Sequence, residues 1–294
     1  ATTATTTVAT HMRIQVYHRT EYVYAEEVKD STNELRLTPK ITNFQSVDSS
    51  FISILPATRL KRYEDLNFNR VHHFTIPQAH KRLLIESRSI VQTKKNCNIY
   101  APPHDIKCSE LENYRKLEEC HSFLQNSVYV ERTPEIWREA IDISSDLDSV
   151  FQICHAIMEH IYSRFKYSTE ATTVSTHANE VIRERVGVCQ DFAHAMAAYC
   201  RSLGIPTRYV SGYLLDNNSD CSLRGNEASH AWVEIYFGDS GWIGFDPTNR
   251  KMVDDTYIVL AFGRDYGDVA PVIGTYFGSG ANTLIINVQV DCLD

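Results

Sequence analysis

The run Gly187-Val188-Cys189-Gln190-Asp191-Phe192-Ala193-His194-Ala195 reads as a tight turn that delivers a cysteine to the first turn of a helix. Downstream, Phe192, Ala193, Met196, Ala197, Cys200 and Leu203 recur at three- and four-residue intervals, the spacing of a helix with an apolar face. Gly204 and Pro206 supply its stop. A thiol at such a start meets N–H groups that have no partner inside the helix, together with the positive end of the helix dipole. Both favour the thiolate, the nucleophilic form. A small buried residue opening a core helix fits the same pattern, because free cysteine is among the most buried residue types. The rest of the chain has to separate these two readings.

At 294 residues, 43% hydrophobic and 22% charged, the chain has the composition of an ordinary globular protein of one or two domains. A net charge of −8 argues against nucleic acid or an anionic membrane as a principal partner. No apolar run reaches the length of a transmembrane helix. The eight cysteines, at 97, 108, 120, 154, 189, 200, 221 and 292, form no C-x-x-C pair and no metal-like spacing, so no metal and no cofactor is expected. Cys154 and Cys200 fall on apolar helix positions, and we read the set as reduced core thiols in a cytoplasmic protein. Residues 1–12 read as a tag or disordered leader: low-complexity Thr/Ala without a signal-peptide pattern, then His11-Met12 as a junction with a natural start at Met12.

Two domains are expected, over 13–100 and 101–294. In the first, Ile14, Val16, His18, Thr20, Tyr22 and Tyr24 alternate with Arg13, Gln15, Tyr17, Arg19 and Glu21, a strand period. Further strands read at 34–37, 50–55, 71–76 and 83–93, with Pro39, Pro56 and Pro77 between them. His72-His73 is not a metal pair, since adjacent strand residues point to opposite faces. A boundary is expected at 97–104. Helices read at 109–124, at 134–140 behind a Thr133 cap, at 148–165 with His155 and His160 off the apolar stripe and in solvent, and at 177–185 behind Thr176. After Leu203 strands return at 207–215, 229–237 and 242–246, and 283–290 is expected to close that sheet.

The hairpin of 229–237 and 242–246 carries a register argument. If Phe237 pairs with Gly241, Asp246 stands opposite Trp232, diagonal to His230 and on its face, within reach of long side chains. The same register gathers Ala231, Val233, Ile235, Phe237, Ile243 and Phe245 on the other, apolar face. A one-residue slip mixes the faces and separates His230 from Asp246. With Cys189 nearby, His230 serves as its base and Asp246 orients the imidazole. The backbone N–H groups of Cys189 and Gln190 then suit a developing oxyanion. The sequence does not itself bring the helix to the hairpin.

Five blocks stand in order: Phe165-Lys-Tyr; Gly187-Val-Cys-Gln-Asp-Phe-Ala-His; Leu203-Gly-Ile-Pro-Thr-Arg-Tyr-Val-Ser-Gly-Tyr-Leu; Ser229-His-Ala-Trp-Val-Glu; and Gly241-Trp-Ile-Gly-Phe-Asp-Pro-Thr-Asn. Together they resemble the bacterial transglutaminase-like superfamily. The late Gly263-Arg-Asp-Tyr-Gly-Asp-Val-Ala-Pro-Val-Ile-Gly block is also similar, as are His18-Arg-Thr-Glu-Tyr-Val-Tyr and Leu35-Arg-Leu-Thr-Pro to the β-rich region that often precedes the domain. The resemblance implies an α+β fold: a papain-like/transglutaminase-like core of helices on an antiparallel sheet, preceded by an all-β domain. It implies Cys189 as nucleophile, His230 as base and Asp246 as orienter, and leaves the second oxyanion donor open.

His194, five residues past Cys189, points away from it, and Asp191 suits the helix start as an acid. Arg264, Asp265 and Tyr266 either line the cleft or shape a turn, with the turn preferred. The expected activity is hydrolysis or acyl transfer at peptide or glutamine amides of a peptide or protein substrate, protease-like in preference to cross-linking. Isopeptide formation, an arylamine acetyltransferase and a non-catalytic scaffold are the alternatives. The sequence carries no signature of oligomeric state.

Overall fold

A computed structural model describes residues 11–94, 105–170, 173–216, 224 and 229–293. The expected boundary at 97–104, most of the 216–228 loop and residues 1–10 lie largely or wholly outside them. His11 and Met12, at the end of the expected tag or leader, are ordered: they pair with Lys94 and Thr93 and open the first strand.

The N-terminal sheet contains β1 (His11–Leu35), β2 (Gln45–Leu55), β3 (Lys61–Glu64), β4 (Arg70–Ile76) and β5 (His80–Lys94), in the order β2-β5-β1-β4-β3. The period-two alternation does its work here, because Ile14, Val16, His18 and Thr20 are all buried on one face of β1. The strand runs further than the alternation suggested. It passes an irregularity between Val23 and Val28 and continues to Leu35, pairing first with β5 and then with β4.

The expected helix at 109–124 is broken into α1 (Leu111–Tyr114) and α2 (Glu118–His121), each flanked by a 3₁₀ turn. Leu117 adopts extended backbone between them, and Arg115 turns away to donate to the carbonyls of Leu203 and Gly204. Next, α3 (Pro134–Ile143) starts where Thr133 accepts from the Ile136 N–H, as expected. In α4 (Val150–Arg164), capped by Ser149, the predicted stripe of Val150, Ile153, Cys154, Ile157 and Ile161 is buried. Its histidines are not in solvent. His155 packs edge-on against Phe151 and Phe245, and His160 contacts Glu139 and Arg185.

The chain then forms β6 (Lys166–Tyr167), α5 (Ala178–Glu184), β7 (Val186–Gly187) and α6 (Cys189–Ser202). His177, not Thr176, occupies the cap position of α5. Thr176 instead accepts from the Thr173 N–H, one turn earlier. Every residue of α6 from Cys189 to Arg201 is buried, as a helix must be when it is enclosed on all sides. It packs between α3, α4 and α5 and the sheet strands that follow. Large side chains in this packing, Phe192 of α6 itself with Ile157 and Val233 around it, each contribute about 1.5–3 kcal/mol by leaving water.

The second sheet is antiparallel, ordered β11-β10-β9-β8-β12, from β8 (Thr207–Leu214), β9 (His230–Tyr236), β10 (Trp242–Asp246), β11 (Lys251–Met252) and β12 (Tyr257–Gly263). After α7 (Tyr266–Val269) come β13 (Val272–Phe277) and β14 (Asn282–Cys292). Here the sequence reading needs correction. The segment expected to close the second sheet pairs with β1 instead, from Tyr24↔Asn282 to Ile14↔Cys292, and β13 pairs with the end of β1. Both ends of the chain therefore build the N-terminal sheet, and a second domain spanning 101–294 is too long by these strands.

The outer edge of β12 shows why, because it is already occupied. The Gln45 amide donates to the Val259 carbonyl at 2.9 Å and accepts from the Val259 N–H at 2.8 Å. The Asn69 amide treats Phe262 the same way, at 2.9 and 3.1 Å. Two side chains thus stand in for a neighbouring strand and satisfy an edge that would otherwise be open. Beside them, Ile14, Val16 and Val91 pack on Tyr213, Leu215, Ile258 and Leu260. His18 bridges Thr20 Oγ1 and Tyr213 Oη, each 2.8 Å away. Burial pushes the pKa of this imidazole down to about 4, so it serves the interface as a neutral ring.

Gln45→Ala leaves the Val259 N–H without this partner in a buried seam. We expect it to cost about 1–3 kcal/mol, read as a drop in thermal midpoint of several degrees. An unchanged midpoint would show that the amide does not hold the two sheets together.

Candidate active site

The turn before Cys189 is fixed from both sides. Arg185 ends α5 in the left-handed region, with φ +56°, and β6 and β7 pair in parallel, Lys166 with Val186 and Tyr167 with Gly187. The Ser168 N–H donates to the Gly187 carbonyl at 2.9 Å. Asp191 folds back so that its Oδ2 accepts from the Val188 N–H at 2.8 Å. That leaves no room for a side chain at 187, where a Cβ atom would lie 2.6 Å from the Asp191 Cβ. Glycine and aspartate, four residues apart, are one device for starting the helix. Cys189 is its first residue and is 9% exposed. The Gln190 side chain is committed elsewhere, to the Val174 carbonyl at 3.0 Å, so the contribution left to it at this site is its backbone N–H.

His230 opens β9, opposite Gly212 of β8. A side chain at 212 would meet the Trp232 ring at 2.4 Å and the Ile258 carbonyl at 2.1 Å, so glycine lets the indole lie against the sheet beside His230. The hairpin has the register expected from its apolar pattern. Phe237 donates to Gly241, and the pairs run from Trp242↔Tyr236 to Phe245↔Val233. Continuing that offset brings Asp246 level with Trp232. The His230 Nε2 donates to Asp246 Oδ2 at 2.7 Å, with both side chains fully buried.

Asp246 takes five donors in all. Oδ1 accepts from the N–H groups of Thr248 (2.9 Å) and Asn249 (3.3 Å), and Oδ2 from His230, the Asn249 amide (2.9 Å) and the Tyr257 hydroxyl (2.9 Å). Burial opposes ionisation of this carboxyl, but His230, Asn249 and Tyr257 outweigh it and hold its pKa below the ordinary value. Burial likewise disfavours the imidazolium of His230. Asp246 first, and then contact with Cys189, reverse that and push its pKa up to about 10. The second ring nitrogen, Nδ1, is buried without a well-formed hydrogen bond, while the thiol is close enough to raise the ring's proton affinity.

Cys189, His230 and Asp246 are thus brought together, with the Cys189 and Gln190 N–H groups at the same helix start. His194 is elsewhere: fully buried, stacked on Tyr129 at 5.6 Å and accepting from the Tyr266 N–H at 3.1 Å. Burial pushes its pKa down to about 3, so the ring stays neutral. The block around Arg264 leads into α7, with Asp265 at its cap position. Arg264 pairs with Asp268, and Asp265 accepts from the Gly267 and Tyr129 N–H groups. Among the described residues no three His, Cys, Asp or Glu side chains gather as a metal site. Sequence reasoning missed Thr248, Asn249 and Tyr257. The first two carried a signal, since an aspartate with chain donors two and three residues on is a turn pattern. Tyr257 comes from another strand and left none.

Residues 140–247 match the family model of the transglutaminase-like superfamily, and residues 14–92 that of the bacterial transglutaminase-like N-terminal region. An uncharacterized protein of Mycobacterium leprae is 33% identical over 279 residues, covering 95% of this chain and 98% of its own. A protein-glutamine gamma-glutamyltransferase of Pseudomonas aeruginosa is 33% identical over 106 residues, 32% of this chain and 15% of its own. The crystal structure of a candidate cysteine protease from Cytophaga hutchinsonii superposes with a TM-score of 0.78 at 24% identity. It covers 97% of this chain and 92% of its own, a likeness of fold. With its helix-borne cysteine facing an antiparallel sheet and its β-rich N-terminal region, the chain belongs to the transglutaminase-like superfamily.

Proposed function

We propose that the protein is a cysteine-dependent hydrolase of peptide or glutamine amide bonds, with Cys189 as nucleophile. The observation that carries this reading is the division of the His230 ring: Nε2 is held by a buried carboxylate and Nδ1 is left to the thiol. The Cys189 proton passes to Nδ1, and the thiolate sulfur attacks the amide carbonyl. As the C–S bond forms, the carbonyl electron pair moves to oxygen, which the Cys189 and Gln190 N–H groups receive. Collapse expels the amine, which takes its proton from His230, and leaves a thioester. Water, deprotonated by His230, then releases the acid and restores the thiol. Asp246 stays ionised throughout and stabilises the imidazolium.

A second reading, amine cross-linking, is favoured by the similarity to the Pseudomonas aeruginosa glutamyltransferase. It differs only in which nucleophile resolves the thioester. One assay separates them: a glutamine-bearing protein incubated with a labelled amine, with new amino termini and ammonia followed in parallel. Hydrolysis predicts termini or ammonia that depend on Cys189 and no label above a Cys189→Ala control. Label above that control would reverse the assignment.

The donors around Asp246 supply a graded test. Asp246→Ala should lower kcat by about 10³–10⁴-fold. Tyr257→Phe removes one donor of five, so a loss of about tenfold in kcat with KM little changed is expected. Equal losses in the two variants would show that Tyr257 does more than hold the carboxylate.

A further inference from the structure

The two long outer edges contributed by the C-terminal half are treated differently. That of β12 is closed by Gln45 and Asn69. That of β13 and β14, which run end to end along β1, is open: among the described residues both strands pair with β1 alone. Natural edge strands are usually blunted by charge, proline or brevity. This one is long, holds no proline and carries a single charge, Asp291, near one end. From Val272 to Val290 the sequence holds no charged residue and no proline, and β14 is 11 residues long. Leu284, Ile285 and Ile286 are 47%, 50% and 46% exposed.

We propose that β14 pairs with β14 of a second copy, antiparallel about a twofold axis at Asn287, so that two N-terminal sheets become one. A strand with one charge in 11 residues, in a chain of net charge −8, is a place where two copies meet with little repulsion. The axis at Asn287, the midpoint of Asn282–Cys292, uses the whole strand. It sets Ile286 opposite the second copy's Val288 and Leu284 opposite the second copy's Val290. These four residues share the face on which Val288 and Val290 already pack against the interface core, and the half-exposed overhang of one copy covers that of the other. Asp291, the charged residue of the strand, meets the second copy's Thr283 rather than its own counterpart. An 11-residue pairing supplies on the order of ten ladder hydrogen bonds, about the number in a specific interface.

Because Asn287 lies opposite itself at the axis, charge placed there tests the geometry directly. Light scattering after size exclusion, from about 1 to about 100 μM, should give the wild-type chain twice its 33.6 kDa mass. Asn287→Lys and Asn287→Glu, each shown to be folded by thermal unfolding and circular dichroism, should each weaken the dimer by about tenfold or more, because like charges then face each other. Mixing the two variants should restore it. A wild-type monomer at the highest concentration would overturn the proposal. So would single variants that dimerise as the wild type does, or a mixture that restores nothing.

Discussion

The buried hydrogen bond between His230 and Asp246 is the interaction on which the site depends. An imidazole and a carboxylate in a fully buried setting are costly to desolvate, and their attraction compensates only if the remaining lone pairs are also satisfied. The β10 turn meets that condition within four residues, through Thr248 and Asn249, and Tyr257 completes it from β12. With the carboxylate fixed, the ring has one orientation and one nitrogen to offer. The thiol is positioned independently, by the interlock of Gly187 and Asp191 at the start of α6. Two rigid elements, a helix start and a strand hairpin, therefore bring the thiol and the imidazole together, as the proposed chemistry requires of a preorganised site.

The N-terminal sheet is more than an appendage to this arrangement. Its Gln45 and Asn69 amides close the edge of β12, the strand that carries Tyr257. Its apolar face packs on Tyr213, Ile258 and Leu260 of the same sheet. The frame that holds the Asp246 network is thus partly built by residues far from it in sequence. Because β13 and β14 return to β1, neither half of the chain completes its sheet alone.

How much of this was legible in the sequence follows from the range of the interactions involved. The strand alternation of β1, the Thr133 cap and the apolar stripe of α4 are local patterns, and they read correctly. So did the hairpin register, since only one pairing keeps Val233 and Phe245 together and lets His230 reach Asp246. The helix at 109–124 misread because its apolar spacing is sparse and Arg115 is drawn off to cap α6. The destination of 283–290 misread because a strand's pattern tells which face is apolar and not which neighbour it joins. The competitor for the β12 edge was a pair of side-chain amides, and those leave no periodic trace. Tyr257 was invisible for the same reason: its role exists only after the sheet has formed.

Alkylation of the thiols measures the central claim most directly. Cys108 and Cys292 are exposed, whereas Cys189 is 9% exposed, so access alone would favour the first two. Burial and Asp148 push the pKa of Cys108 up. Limited iodoacetamide near neutral pH, with peptide mapping over time, should label Cys189 ahead of every other cysteine, and His230→Ala should remove that lead. Labelling led by Cys108 or Cys292, or a Cys189 rate indifferent to the loss of His230, would contradict the account of a thiol activated by the imidazole beside it.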